Sequence, residues 1–190
     1  KRRIASYGFC LPNKGYFELI KAISILNAKD FKVELNIFSS IYNQNYYWVY
    51  EDLVKLVSEL NLTELIQINK DYLPDHEVMK LLSVHDFSIF PYQESNESSS
   101  AAVRHGLATC RPVMVSPMPI FNDVSSLVNY LPGSTPELIA KGICDWYENK
   151  QEKINYESKS SYQRYENINH RRFSNLGLRL SSMITGLELS

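Results

Sequence analysis

A carboxylate and three hydroxyl groups stand together at Glu97-Ser98-Ser99-Ser100, where a predicted strand gives way to a short helix. The first N–H groups of a helix have no partner within the helix and carry a partial positive charge, so they can receive a phosphate. The adjacent carboxylate can hold a sugar hydroxyl. This segment therefore predicts a site for a phosphorylated sugar, and a nucleotide-sugar is the first ligand to test.

Strand-like and helix-like patterns alternate along the first two thirds of the chain. Apolar and polar residues alternate over residues 31–37, which is typical of a strand buried on one face, whereas apolar residues recur at helical spacing over residues 47–60. The predicted strands are residues 4–9, 31–37, 65–68, 87–90 and 112–115. This alternation predicts an α/β, Rossmann-like fold: an open, mostly parallel sheet with helices on both faces, followed by C-terminal helices.

Ligands in such sheets bind beyond the carboxyl ends of the strands. Two loops follow predicted strands in this way, residues 8–15 and residues 93–100. The first loop contains Pro12 and Gly15, which interrupt regular structure, and it also carries the cation Lys14. We expect the two loops to converge on one pocket, with Lys14 and Glu97 facing each other across it.

Two helix starts are indicated by the sequence, and the second precedes the predicted domain boundary. Asp75 is predicted to cap one helix, and Thr135-Pro136-Glu137 is typical of a helix start, with a cap, a proline in the first turn and then an acid. Residues 148–169 are polar and rich in tyrosine, and helical spacing resumes after residue 173. We predict a Rossmann-like domain over residues 1–145 and a helical extension over residues 146–190. Because the chain lacks an initiator Met, we expect a fragment of a longer protein.

The composition bears on several classes of function. The chain has 190 residues, 44% of them hydrophobic, and a net charge of −1, so it should fold and has no electrostatic basis for binding nucleic acid. Cys10, Cys110 and Cys144 form no Cys-x-x-Cys pair, which predicts reduced thiols in a cytosolic protein. No apolar run approaches the roughly 18 residues of a membrane span. The predicted location is cytoplasmic, either free or peripheral at the inner face of the membrane.

The loop Gly8-Phe9-Cys10-Leu11-Pro12-Asn13-Lys14-Gly15, followed by an amphipathic helix, resembles the first loop of the C-terminal domain in family-four retaining glycosyltransferases. These enzymes have two Rossmann-like domains, the GT-B architecture. Residues 97–115 resemble their donor-site motif, in which two glutamates are separated by seven residues and a Pro-Val strand follows. Residues 76–89 are similar to the helix and strand before that motif. The resemblance covers roughly residues 1–145.

The resemblance implies a domain that binds a nucleotide-diphosphate-sugar and works with an N-terminal domain for a saccharide or lipid-linked acceptor. Lys14 would neutralise the donor diphosphate and Glu97 would bond hydroxyls of the transferred sugar, so these two are the predicted catalytic residues. No metal and no separate cofactor is expected, since the lysine and the helix start replace a divalent cation. The predicted donor-binding residues are Gly8, Gly15, Ser98, Ser99, Ser100, Arg104 and His105.

Two positions depart from the family pattern. The usual phosphate-binding arginine is Phe9 here, and the second glutamate, which commonly holds the ribose, is His105. A histidine can also hydrogen-bond a hydroxyl, and Arg104 would restore a positive charge if it faces the pocket. The run Ser-Ser-Ser-Ala-Ala-Val-Arg resembles a branch of the family that acts in bacterial surface-polysaccharide assembly.

Each candidate residue also has a purely structural interpretation. Lys14 fits a solvated turn, and the serines fit a helix cap worth ~1 kcal/mol. Glu97 fits a surface acid that complements the helix dipole, and His105 fits a packing histidine as well as a ribose contact.

Three functions are compatible with the sequence. The leading one is transfer of a glycosyl group, with retention, from a nucleotide-diphosphate-sugar to an acceptor hydroxyl. A degenerate transferase domain kept for protein interaction or assembly is the second, and it is favoured by Phe9 and His105. A nucleotide-sugar epimerase, which shares the two-domain plan, is the third.

Overall fold

The computed structural model describes residues 1–149, which contain six strands and five α-helices. The strands are β1 (Arg3–Phe9), β2 (Glu34–Ser40), β3 (Ile66–Asn69), β4 (Phe87–Phe90), β5 (Val113–Val115) and β6 (Asn129–Tyr130). The helices are α1 (Tyr16–Ala28), α2 (Tyr47–Glu59), α3 (Asp75–Ser83), α4 (Ala101–Ala108) and α5 (Pro136–Glu148). Residues 150–190, which include most of the predicted helical extension, lie outside the described part.

The strands form one sheet in the order β3-β2-β1-β4-β5-β6, and every pairing is parallel. Successive residues of β1 face opposite sides of this sheet, as the pleat requires. Ile4 is buried in the cluster that holds the apolar faces of α1, α2 and α5, whereas Ala5 packs with Val78 and Leu82 of α3. The predicted Rossmann-like sheet with helices on both faces is therefore confirmed.

The strand order reverses between β1 and β4. The chain runs outward from β1 through β2 to β3 and then returns to place β4 on the other side of β1. Two neighbouring strands whose following loops turn in opposite directions leave a crevice at their carboxyl ends. The loops after β1 and β4 flank this crevice, and they are the two loops that the sequence singles out.

The second strand begins three residues later than predicted. Helix α1 ends in a Schellman motif: Phe31 N–H donates to Leu26 O at 2.9 Å, and Asp30, with φ 57°, donates to Asn27 O at 3.0 Å. Phe31 is thus still part of the helix cap. Pairing with β1 starts at Glu34, whose N–H donates to Arg2 O at 2.9 Å.

The helix starts match the sequence patterns in one case and not in another. Thr135 caps α5, as predicted, with its hydroxyl accepting from Leu138 N–H at 3.4 Å. The prediction that Asp75 caps α3 is wrong. Pro74 occupies the capping position, where it offers no side-chain acceptor, and Asp75 is the first helical residue. Its carboxylate is directed to a different partner, described below.

The region between β5 and α5 contains a strand that the sequence patterns did not indicate. Strand β6 is two residues long and pairs with β5 after a 3₁₀ turn over Pro119–Val124. A strand of two residues is too short to show an alternating pattern. Within residues 1–149, no helix is both long and apolar enough to cross a membrane.

Candidate functional site

A cavity of about 370 Å³ opens at the crevice between β1 and β4. Its walls come from the end of β1, the loop before α1, the loop after β4, the start of α3 and the first turns of α4. The lining residues include Tyr7, Gly8, Phe9, Lys14, Tyr72, Asp75, Tyr92, Glu97, Ser99, Ser100, Ala101, Ala102 and His105. The cavity thus combines both predicted loops.

Lys14 is a buried cation at this cavity. It ends a 3₁₀ turn over Pro12–Lys14, and only 8% of its side chain is exposed. Its Nζ lies 4.1 Å from the centre of the Tyr92 ring and 3.8 Å from Oε2 of Glu97. Burial lowers the pKa of Lys14, and the charge of Glu97 opposes this shift. A desolvated ammonium with one distant carboxylate retains donors for an anionic ligand.

Glu97 faces Lys14 from the loop after β4. Its side chain is 64% exposed, and the loop is held locally by Glu97 N–H, which donates to Ser95 Oγ at 3.2 Å. The two predicted catalytic side chains therefore meet in the cavity, although their positions are 83 apart in the sequence. The tertiary contact brings them together as expected, and their chemical roles stay a prediction.

The three serines differ in their surroundings. Ser100 is buried and caps α4: its Oγ accepts from Val103 N–H at 3.4 Å and lies 3.1 Å from the Tyr92 hydroxyl. Ser99 lines the cavity, whereas Ser98 is exposed outside the lining. Ala101 and Ala102, the first residues of α4, also line the cavity, where the orphan N–H groups of a helix start can meet an anion.

Burial raises the pKa of Tyr92 to about 12, so its hydroxyl remains neutral beside Lys14 and Ser100. A neutral phenol can donate to the Ser100 oxygen while its ring lies against the ammonium. Tyr92 therefore links the cation to the capped start of α4, and it fixes their relative position.

Arg104 is not in the cavity wall. Its guanidinium donates to Ser100 O at 3.0 Å and forms an ion pair with Asp123 in the 3₁₀ turn before β6. The Arg104 side chain thus holds the start of α4 against the 3₁₀ turn that contains Asp123. Among the described residues that line the cavity, Lys14 is the only lysine or arginine.

His105 does line the cavity, and it contacts an acid from another helix. Its Nε2 lies 3.2 Å from Oδ1 of Asp75, and its Nδ1 lies 2.9 Å from Ala101 O. The ring of Tyr7 meets the imidazole edge-on, with ring centres 5.3 Å apart. Burial raises the pKa of Tyr7, and the nearby charge of Asp75 raises it further.

The two predicted donor-loop glycines have different surroundings. Gly8 lines the cavity with φ 149°, and a Cβ built there would lie 3.2 Å from the buried Tyr16 hydroxyl. Gly15 lies outside the lining, and a Cβ there would overlap the carbonyl oxygen of Pro91. With φ 75°, Gly15 lets the chain turn from Lys14 into α1. Its direct effect is on the turn that holds Lys14.

Sequence reasoning did not single out Tyr7, Tyr72, Tyr92 or Asp75 as site residues. Tyr7 and Tyr92 carry a usable signal, because each stands at the carboxyl end of a strand that borders the crevice. Asp75 was interpreted only as a cap. Its approach to His105 depends on how α3 packs against α4, which no local pattern contains.

The sequence matches no family model and no curated protein. Solved structures do match the fold. A glycosyltransferase from Rickettsia africae has a TM-score of 0.77 and 17% identity, covering 96% of this chain and 46% of that chain. HepE from Anabaena, solved with UDP and glucose, has a TM-score of 0.75 and 11% identity, covering 97% and 48%. A UDP-forming trehalose-phosphate synthase from Burkholderia vietnamiensis has a TM-score of 0.74 and 10% identity, covering 100% and 46%.

This chain therefore spans less than half the length of these three solved structures. At such low identity the likeness concerns the fold: residues of this chain adopt an α/β arrangement found in glycosyltransferases.

Proposed function

We propose that this chain is the donor-binding domain of a retaining glycosyltransferase that uses a nucleotide-diphosphate-sugar. The observation that carries the proposal is the approach of Lys14 Nζ to Glu97 Oε2, 3.8 Å apart, in a cavity between the ends of β1 and β4. A buried cation beside a helix start suits a diphosphate, and an exposed carboxylate next to it suits sugar hydroxyls. The shared fold of the solved glycosyltransferases supports the same assignment.

In the proposed reaction, the bond between the anomeric carbon of the sugar and the diphosphate oxygen breaks, a bond to the acceptor oxygen forms, and the acceptor hydroxyl proton passes to the departing diphosphate. Negative charge develops on the departing diphosphate. The Lys14 ammonium and the first N–H groups of α4 would stabilise it, because Lys14, Ala101 and Ala102 line the cavity. Glu97 would hold the sugar hydroxyls while the anomeric carbon passes through an oxocarbenium-like state. The acceptor would be presented by a second, N-terminal domain.

The role in bacterial surface-polysaccharide assembly is part of this proposal, and it rests on the resemblance of residues 98–104. The direct test is titration of the 190-residue chain with UDP-, GDP- and dTDP-sugars by calorimetry, followed by NMR chemical shifts. We expect one nucleotide class to give saturable heat and shifts of residues around Lys14. No response to any of the three classes would refute donor binding.

A degenerate domain kept for interaction or assembly is the second candidate, and one observation favours it. Arg104 is paired with Asp123 outside the cavity and Phe9 stands in the wall, so the described lining offers a diphosphate one fixed cation. Replacing Lys14 with alanine in the full-length protein discriminates between the two. Unchanged glycosyl transfer would favour the interaction role, and loss of transfer would favour the enzyme.

A further inference from the structure

A second polar group of residues lines the same cavity, contributed by β1, the loop before α3, α3 itself and α4. It consists of Tyr7, Tyr72, Asp75 and His105. Helices α3 and α4 pack against each other, and the contact between Asp75 and His105 joins them at the cavity wall. We call these four residues the Asp75 group.

Each ring nitrogen of His105 lies close to an oxygen atom of the protein. Nδ1 donates to the carbonyl of Ala101, four residues earlier in α4, at 2.9 Å. Nε2 lies 3.2 Å from Oδ1 of Asp75, a residue of the neighbouring helix α3. His105 is thus held to its own helix through Nδ1, and its Nε2 side lies directly beside the Asp75 carboxylate. Its contacts fix the direction of the Asp75 carboxylate, which makes it a positioning residue.

The Asp75 carboxylate keeps capacity for a ligand. A carboxylate has about four lone-pair positions on two oxygens, and His105 lies next to one of these oxygens, Oδ1. The side chain is 68% exposed and lines the cavity. Since a carboxylate repels phosphate and only accepts hydrogen bonds, the ligand part next to Asp75 must be a hydrogen-bond donor. The hydroxyl groups of a sugar meet this condition.

Two aromatic residues line the cavity together with this carboxylate. Tyr7 is partly buried beside it, and Tyr72 is 74% exposed in the same wall. A nucleoside diphosphate offers an anionic end, a pair of vicinal hydroxyls and a flat base, which match a cation, a carboxylate and exposed aromatic rings in one cavity. Glu97, the other acid of the cavity, is next to Lys14 and is assigned to the transferred sugar.

We infer that Asp75, held in place by His105, is the residue that binds the ribose hydroxyls of the nucleoside diphosphate. The inference rests on the proposed function and adds to it a specificity residue contributed by α3. Asp75 and Lys14 then bind different parts of the nucleotide, the ribose diol and the diphosphate. The contribution of each residue to the affinity can therefore be measured separately.

The test compares UDP and GDP with their 2′,3′-dideoxy analogues by calorimetry on the full chain. With the wild type we expect the dideoxy analogue of the bound nucleotide to bind about 10-fold to 100-fold more weakly, because hydrogen bonds to a charged group are lost. Asp75→Asn should weaken the parent nucleotide by a similar factor and should lose most of the discrimination between the two ligands. Equal discrimination by wild type and Asp75→Asn would overturn the inference.

Three controls separate this inference from the proposed function. Asp71→Asn removes the same charge from an exposed residue outside this cavity, and it should keep the wild-type discrimination. His105→Ala should reduce discrimination while leaving the affinity for inorganic pyrophosphate unchanged. Lys14→Met should weaken pyrophosphate and keep the preference for the ribose diol. If no nucleotide binds the wild type, the proposed function fails, whereas binding without any effect of Asp75→Asn removes only the ribose assignment.

Discussion

Replacing Lys14 with methionine removes a positive charge while it keeps an unbranched side chain of similar length. Only 8% of the Lys14 side chain is exposed, so its ammonium would meet a bound diphosphate in a site with little water. A hydrogen bond to a charged group in such surroundings is worth about 1.5–3 kcal/mol. Since about 1.4 kcal/mol corresponds to a tenfold change, Lys14→Met should weaken binding of a nucleoside diphosphate by about 10-fold to 150-fold.

The same substitution should not destabilise the free protein. The ammonium is desolvated, and its removal leaves Glu97 as a carboxylate that is 64% exposed and remains hydrated. We therefore expect an unchanged or higher midpoint in urea unfolding of Lys14→Met, together with the loss of affinity. A large loss of stability with unchanged affinity would refute the reasoning, because it would show that Lys14 supports the fold and not the ligand.

The pH dependence gives a second readout for Lys14. Burial lowers the pKa of Lys14 below its ordinary value of 10.5. In the free protein, the stability of the wild type relative to Lys14→Met should rise with pH between the lowered pKa and 10.5, because the unfolded chain then binds more protons. Affinity for the diphosphate should fall over the same rise in pH, since the ligand requires the ammonium. In Lys14→Met, the affinity for the diphosphate should not fall over this pH range, because the variant has no ammonium at position 14.

Three other substitutions and conditions follow from the same structure. Phe9→Arg adds a cation at a half-exposed position of the cavity wall, so calorimetry should show ~2-fold to 5-fold tighter nucleotide binding. This gain in affinity should disappear at high salt. Weaker binding would contradict the placement of residue 9 beside the bound nucleotide. Gly15→Ala places a Cβ against the Pro91 carbonyl oxygen at a φ of 75°, so urea unfolding should show an unfolding free energy that is lower by at least about 2 kcal/mol. The control Lys21→Ala, at an exposed position, should show little change. Burial lowers the pKa of His85, whose ring accepts a hydrogen bond from Asn36 and donates one to Leu81 O. The contribution of His85 to the unfolding free energy should therefore be fully present above pH 6.5 and should fall as the pH decreases below 6.5. An unfolding free energy that is flat between pH 7.5 and 5 would contradict a buried neutral imidazole.

Local patterns were sufficient for most of the sheet. The alternation of residues 31–37 and the helical spacing of residues 47–60 both indicate the correct type of element, because one face of each is buried in a single core. The error at the start of β2 arose from Asp30. A left-handed cap residue extends the helix end by hydrogen bonds that have no hydrophobic periodicity. Strand β6 was missed because two residues carry no period.

The sequence by itself determined the order of the elements, the two loops after β1 and β4 and the residues Lys14 and Glu97 within them, since these depend on neighbours along the chain. The tertiary structure decided which charges share a cavity. It directed Arg104 to Asp123 and away from the cavity, and it brought Asp75 of α3 to His105 of α4. Those outcomes depend on the packing of helices that are distant in sequence, and a side chain a few ångströms away across such an interface leaves no trace in the spacing of residues.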